Sequence, residues 1–203
     1  MAQRYGLVID LDRCTGCCTC VVACQMEHSL DHVSGIRVET VGGQGRDTPG
    51  GNHPLLSMYY LPIPCMHCRE ARCIEACPLE AIYRRSDGIV AIDDARCNGC
   101  EACIEACPYG ALVYLPERDR IWKCNLCAHR VDAGLDPFCV LCCEMEAMFF
   151  GDVDDPTSRV AELARQKKAS VLKPELGTHP AVLYFGGTSA DTTFAPSTSS
   201  TST

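Results

Sequence analysis

The chain has little of what an enzyme, a membrane protein or a nucleic-acid binder would need. None of its apolar stretches approaches the roughly 18 residues that cross a bilayer, so any membrane link is expected to run through a partner. The glycine-rich stretch 42–51 holds neither G-x-G-x-x-G nor Gly-Lys-Ser/Thr, which leaves it a connecting loop rather than a phosphate cradle. Residues 1–12 show no basic segment followed by a long apolar run, and no arginine pair precedes the first cysteine, so no export leader is expected. Aromatic residues are only 6 % of the chain, and Lys and Arg number 18 against 26 Asp and Glu. The resulting formal net charge of −8 disfavours nucleic acid as a partner. No general base, nucleophile or substrate pocket emerges, so substrate chemistry is expected elsewhere than on this chain.

What the chain has in excess is cysteine. Sixteen of its 18 cysteines fall into four runs of four. Run one is Cys14, Cys17, Cys20 and Cys24; run two is Cys65, Cys68, Cys73 and Cys77; run three is Cys97, Cys100, Cys103 and Cys107; run four is Cys124, Cys127, Cys139 and Cys143. Runs one and three have the Cys-x2-Cys-x2-Cys-x3-Cys spacing of bacterial ferredoxins, run two widens one gap to four residues, and Pro78 and Pro108 follow runs two and three. Two residues between ligands give a tight loop that wraps one face of an iron–sulfur cube with its N–H groups turned toward sulfur. Gly16 and Gly99 sit inside two such loops, where a glycine lets the backbone take positive φ and approach closely. An even cysteine count would also permit a disulfide-rich secreted protein, but the missing leader argues against that. With so few aromatics, bound metal is expected to stand in for part of the core, and the metal-free chain to fold poorly.

Two internal echoes support one repeated unit. Ile9-Asp10 through Cys17 matches Ile92-Asp93 through Cys100 at a constant offset, so the two loops look like copies. Cys77, Cys107 and Cys143 are each followed four residues on by Ala81, Ala111 and Ala147, and then by an apolar residue able to start a strand. That echo marks Cys143, not Cys142, as the last ligand of run four. Strands are expected over 5–11, 36–41 and 55–61, a helix over 18–29, and a hairpin over 81–92 turning at Asp87-Gly88. Pro62 and Pro64 are expected to stiffen the approach to run two. Asp155-Pro156 reads as the cap and first turn of a helix carrying Val160, Leu163 and Ala164, and 186–203 as a Gly/Ser/Thr-rich tail. Residues 62–115 then make one two-cluster unit, and by elimination runs one and four pair across it.

With four runs in this order, residues 4–155 resemble the iron–sulfur electron-transfer subunits of the dimethyl sulfoxide reductase family of molybdenum or tungsten enzymes. The Cys-x2-Cys-x11-Cys-x3-Cys spacing of run four is the most specific part of the match. The resemblance implies an α+β fold of two pseudo-symmetric bacterial 2[4Fe-4S] ferredoxin-like domains with long loops and a C-terminal docking tail. The outer domain would be 1–61 plus 116–155, the inserted one 62–115, and 156–203 a helix and tail for docking. It implies four [4Fe-4S] clusters: Cys97, Cys100, Cys103 with Cys77; Cys65, Cys68, Cys73 with Cys107; Cys14, Cys17, Cys20 with Cys143; Cys124, Cys127, Cys139 with Cys24. Some members replace one run-three cysteine and hold a [3Fe-4S] cluster, but Cys100 is present here. The implied partners are a molybdopterin-containing catalytic subunit and a membrane anchor or soluble acceptor. The implied location is cytoplasmic, free or at a membrane through a partner, with co-export to the periplasm left open.

Other readings remain. A free polyferredoxin would use the same cysteines, and Cys124-x2-Cys127 with Cys139-x2-Cys142 also has zinc-ribbon spacing. Cys18 and Cys142 are spare, with a small buried thiol expected at each. The six histidines, His67 in run two among them, are expected to be structural or exposed. Glu144 and Gln25 stand after runs four and one, where Glu144 would add negative charge near a cluster. Arg13, Arg96 and Lys123, each one residue before a run, would either offset the charge of the clusters or be plain surface cations.

Overall fold

A computed structural model describes residues 3–45 and 47–187. Strand β1 (Tyr5–Asp10) enters the first cysteine loop, helix α1 (Thr19–His28) leaves it, and β2 (Ile36–Val41), β3 (Gly43–Gly45), β4 (Thr48–Pro49) and β5 (Tyr59–Pro64) lead to the second. Next come α2 (Arg72–Glu75), β6 (Ile82–Arg84), β7 (Val90–Ile92), α3 (Ala102–Ala106), β8 (Leu112–Leu115) and β9 (Arg120–Lys123). The chain closes with α4 (Ala128–Val131), α5 (Phe138–Leu141), β10 (Met148–Asp152), α6 (Arg159–Gln166), β11 (Ser170–Val171) and β12 (Val182–Phe185). This is an α+β arrangement of short elements. Helices of four or five residues such as α2 to α5 cannot persist on hydrogen bonding alone and need packing to hold them.

The largest sheet runs β10-β1-β12-β11. β1 has neighbours on both edges, and Leu7, Val8 and Ile9 are wholly buried, so both of its faces are covered. Gly6 makes the close approach possible, because a Cβ there would lie 2.0 Å from the Ala181 carbonyl oxygen. The expected helix after run four begins later than its Asp155-Pro156 signal. Ser158 is its cap, accepting from the Ala161 N–H at 3.1 Å, while Asp155 closes a turn just ahead by accepting from the Thr157 N–H. Val160 of α6 is buried against β10, and β12 pairs parallel to β1, so much of the segment expected as a docking element is fastened to the outer sheet. The tail beyond 187 lies outside the described residues.

Two hairpins, β6-β7 and β8-β9, form separate two-stranded sheets. The first turns at Asp87-Gly88 with Gly88 at φ 84°, as expected. The apolar residues after the three alanines, Ile82, Leu112 and Met148, do start strands. The third expected strand begins at Tyr59 rather than 55 and runs through both prolines to Pro64. Among the described residues β5 pairs only with β2, so Pro62 and Pro64, two apart, can turn their N–H-less nitrogens to the unpaired edge. Part of the loop 42–51 is itself paired as β3-β4. Two apolar clusters form the core, and Cys68 and Cys107 pack against both.

Candidate iron–sulfur centres

Each run opens on the same backbone turn. Two residues after the first cysteine, φ is positive in all four: Gly16 at 69°, His67 at 43°, Gly99 at 71° and Leu126 at 53°. The glycine signal therefore found two loops of four; His67 and Leu126, 1 % exposed each, hold the same left-handed turn by being packed in place. The sequence repeat has a structural counterpart as well. Asp10 accepts from the Asp12 N–H at 3.0 Å and Asp93 from the Ala95 N–H at 2.9 Å, matching turns that launch runs one and three.

The fold gathers cysteines across runs. Burial raises the Cys103 thiol to about 11, and Cys77, Cys100 and Cys97 beside it push in the same direction. These four line one small cavity with Leu79, Ile82, Ile92 and Ile121. Burial raises Cys73 to about 12 and Cys68 to about 11, with Cys65 and Cys107 adding to both. Cys20 is raised to about 12 by burial, then by Cys14, Cys18, Cys17 and Cys143. Burial raises Cys139 well above the thiol range, with Cys124, Cys127, Cys20 and Cys24 adding. In each of these groups a buried thiol is thus raised both by cysteines of its own run and by a cysteine of another. Cys124 is also raised by Cys65, and Cys139 by Cys20, so cysteines of run four lie near both run two and run one. Cys100 and Cys17 are exposed; at Cys17 hydrogen bonding with Thr19 holds the thiol below its ordinary value.

Backbone N–H groups point at several of these sulfurs. Ala81 donates to Cys77 Sγ at 3.2 Å and Ala147 to Cys143 Sγ at 3.3 Å, which gives the alanine echo a physical basis. Gly35 donates to Cys24 Sγ at 3.3 Å and Leu126 to Cys124 Sγ at 3.4 Å. His28 adds a side chain that the sequence had not marked: its Nε2 lies 3.3 Å from Cys127 Sγ, and its ring packs on Trp122 and His129. His129 in turn lies 2.7 Å from Glu27 Oε1.

The donor set suits [4Fe-4S] cubes. Among the described residues no three His, Cys, Asp or Glu converge on one point as a single ion demands. Cys77, Cys97, Cys100 and Cys103 instead line a shared space, as a body with several metal corners requires. His67 supplies a second sign. Its Nδ1 accepts from the Val90 N–H at 3.0 Å, so Nε2 carries the proton, yet Nε2 is buried without a partner in the loop between Cys65 and Cys68. Burial holds this ring neutral, and a sulfur acceptor would satisfy the orphaned N–H. Thiols at 11 to 12 keep their protons at neutral pH when no metal is bound, so assembly must release them.

Other expected residues divide. Arg13 is 43 % exposed and pairs with Glu146, and Arg96 is 52 % exposed and pairs with Glu80, whereas Lys123 is buried. Cys18 and Cys142 are half-buried; Cys18 caps α1 beside the Cys14 set, and Cys142 ends α5. Glu144 is exposed and close enough to Cys17 to raise its thiol slightly.

Comparison with known proteins agrees with this chemistry. The family model of the 4Fe-4S dicluster domain matches residues 56–153. A putative dimethyl sulfoxide reductase iron-sulfur subunit of Halobacterium salinarum is 40 % identical over 91 % of this chain and 79 % of its own length. A tetrathionate reductase subunit of Salmonella typhimurium is also 40 % identical, over 91 % of this chain and 73 % of its own. The arsenate respiratory reductase iron-sulfur subunit of a Shewanella species is 32 % identical over 90 % of this chain and 96 % of its own. With cysteine loops built for [4Fe-4S] clusters and relatives matched along nearly its whole length, the chain belongs to the family of ferredoxin-like iron–sulfur electron-transfer subunits of dimethyl sulfoxide reductase-type oxidoreductases.

Proposed function

We propose that the chain holds four [4Fe-4S] clusters in one line and passes single electrons between a molybdopterin-bearing catalytic subunit and a membrane anchor or soluble acceptor. The ligand sets are Cys77 with Cys97, Cys100 and Cys103; Cys107 with Cys65, Cys68 and Cys73; Cys24 with Cys124, Cys127 and Cys139; and Cys143 with Cys14, Cys17 and Cys20. The observation that supports this reading is that a buried thiol of each run is raised by a cysteine of another: Cys103 by Cys77, Cys73 by Cys107, Cys20 by Cys143 and Cys139 by Cys24. A bound cube supplies a one-electron couple. The protein's share is to hold the thiolates, point N–H groups at them, and keep water from the middle of the line. Exposed Cys100 and Cys17 mark the two ends as the places where partners dock.

The two-domain reading accompanies it: 62–115 as an inserted ferredoxin-like unit, 1–61 plus 116–155 as the outer one, and 156–203 as a C-terminal segment that serves docking beyond its anchorage on β1. The constant-offset repeat and the paired Asp10 and Asp93 turns support pseudo-symmetry between the units. Among the described residues no helix is long and apolar enough to cross a membrane, so attachment to one would fall to a partner. The relatives are named for reductases of different substrates, and the substrate follows the catalytic partner rather than this chain.

A metal inventory of the native complex, isolated without oxygen through a tag on this chain, tests the proposal. It expects about sixteen irons per chain together with molybdenum or tungsten. The same iron with neither metal would favour a free polyferredoxin, and zinc in place of iron would overturn electron transfer.

A further inference from the structure

Lys123 ends β9, one residue before Cys124, and is 2 % exposed. Its Nζ donates to the Val90 carbonyl and to the Cys124 carbonyl at 2.9 Å. Neither acceptor carries charge, and none of the ion pairs among the described residues includes Lys123. A buried ammonium served by carbonyls alone is strongly unfavourable unless an anion faces it. Once metal is bound, the anions at hand would be thiolates of two different sets. The lysine charge acts on Cys73, which belongs with Cys65, Cys68 and Cys107, and on Cys124, which belongs with Cys24, Cys127 and Cys139. Val90 fixes this place from both sides, holding Lys123 by its carbonyl and His67 by its N–H.

We propose that Lys123 is a built-in counter-cation in the seam between the two middle clusters, raising the reduction potential of both and lessening their mutual repulsion. The inference rests on the four-cluster reading above. Reduction adds an electron to an already anionic site, so a fixed positive charge that water cannot screen favours the reduced form. Burial alone acts the other way, since a low-dielectric surrounding disfavours the more highly charged state. Lys123 therefore keeps the middle of the line from becoming a barrier to electrons. Arg13 and Arg96, at the same place before runs one and three, are half-exposed and already paired with carboxylates, so neither gives the end clusters an equivalent charge.

The test is a redox titration followed by electron paramagnetic resonance on the native complex carrying Lys123→Gln or Lys123→Met, with Lys123→Arg as the variant that keeps the charge. The end clusters are identified by the signals altered in Cys100→Ala and Cys17→Ala. At fixed solution potential the neutral variants should lower the reduced-to-oxidised ratio of the two middle clusters about tenfold, equivalent to about 59 mV for one electron. The end clusters should shift far less, and Lys123→Arg should stay near the native values. Unmoved middle clusters, or all four shifting alike, would overturn the proposal. Should both neutral variants fail to assemble, assembly of Lys123→Arg would uphold the need for charge, and its failure alongside them would show that shape decides. Iron in the unaltered chain is read separately: its absence would sink the cluster assignment itself, whatever the variants do.

Discussion

In the proposed line of four clusters, the two end sets and the two middle sets are made from the same loop by different means. At the ends, runs one and three turn on Gly16 and Gly99, are launched by matching aspartate turns, and leave Cys17 and Cys100 exposed. In the middle, runs two and four turn on His67 and Leu126, both buried, and Cys65, Cys73, Cys127 and Cys139 are buried with them. An end loop needs only a residue free to take positive φ, because one side of it faces outward. A middle loop is enclosed, so its turn is enforced by packing and its residues fill space as well as bend the chain. The difference teaches that how far a loop is enclosed, not the spacing of its cysteines, sets how its turn is held.

Removing one ligand from each kind of set should give the largest contrast. Cys139→Ala should strip its cluster and lower stability by about 3 kcal/mol or more, because the metal there substitutes for core. Cys100→Ala, at an exposed end, should leave the fold intact and cost little more than the iron it held. Iron content and thermal melting of the two variants, compared side by side, check this; equal losses would erase the distinction between ends and middle.

The loop residues should follow in order. Leu126→Ala keeps the backbone turn but opens a cavity, costing about 2–5 kcal/mol. Gly16→Ala would place a Cβ 2.5 Å from the Tyr60 ring at a φ of 69°, so about 1–2 kcal/mol is expected if the ring moves aside. Denaturant midpoints measure both, and a larger cost at Gly16 would reverse the ranking.

His28→Leu tests a single hydrogen bond to one middle set. Loss of a bond worth about 1 kcal/mol should lower that cluster's potential by a few tens of millivolts and leave the end clusters unchanged. A potentiometric titration would detect it, and no shift would mean that the His28 contact to Cys127 is only structural.

The smallest effect is expected at Asp132, which joins Arg85 of the central hairpin region to the end of α4. Hydrogen bonding to Arg85 holds the Asp132 carboxyl below its ordinary value. A carboxyl so depressed stabilises the fold above the ordinary range, at about pH 4 and up, and loses that contribution as pH falls through its folded value. Asp132→Asn should therefore melt slightly lower at neutral pH, the gap closing in acid. A gap that widened in acid would contradict the assignment.

Much of this was legible because chemistry fixed the letters. Thiolate ligands leave cysteines at set spacings, and the i+4 alanines record N–H groups that meet cysteine sulfur at Cys77 and Cys143. The turns at His67 and Leu126 were not legible, since neither residue signals positive φ; only enclosure by the rest of the fold puts them there. Lys123 looked like Arg13 and Arg96 in sequence and differs only because β9 lies inside the molecule. The strand through Pro62 and Pro64 escaped notice for a related reason: whether an edge is open depends on partners far along the chain. Asp155-Pro156 gave a sound turn signal, but the helix cap fell to Ser158, three residues on, where the side chain meets the Ala161 N–H.

The most direct test of cross-run ligation is iron counting in stacked variants of the native complex. Replacing Cys97, Cys100 and Cys103 together by alanine should remove one cluster and leave about twelve irons per chain. Adding Cys77→Ala should then remove nothing further, because its cluster is already gone, whereas adding Cys107→Ala should take iron from the neighbouring set. The reverse result, with Cys77→Ala costing more iron and Cys107→Ala costing none, would contradict the account.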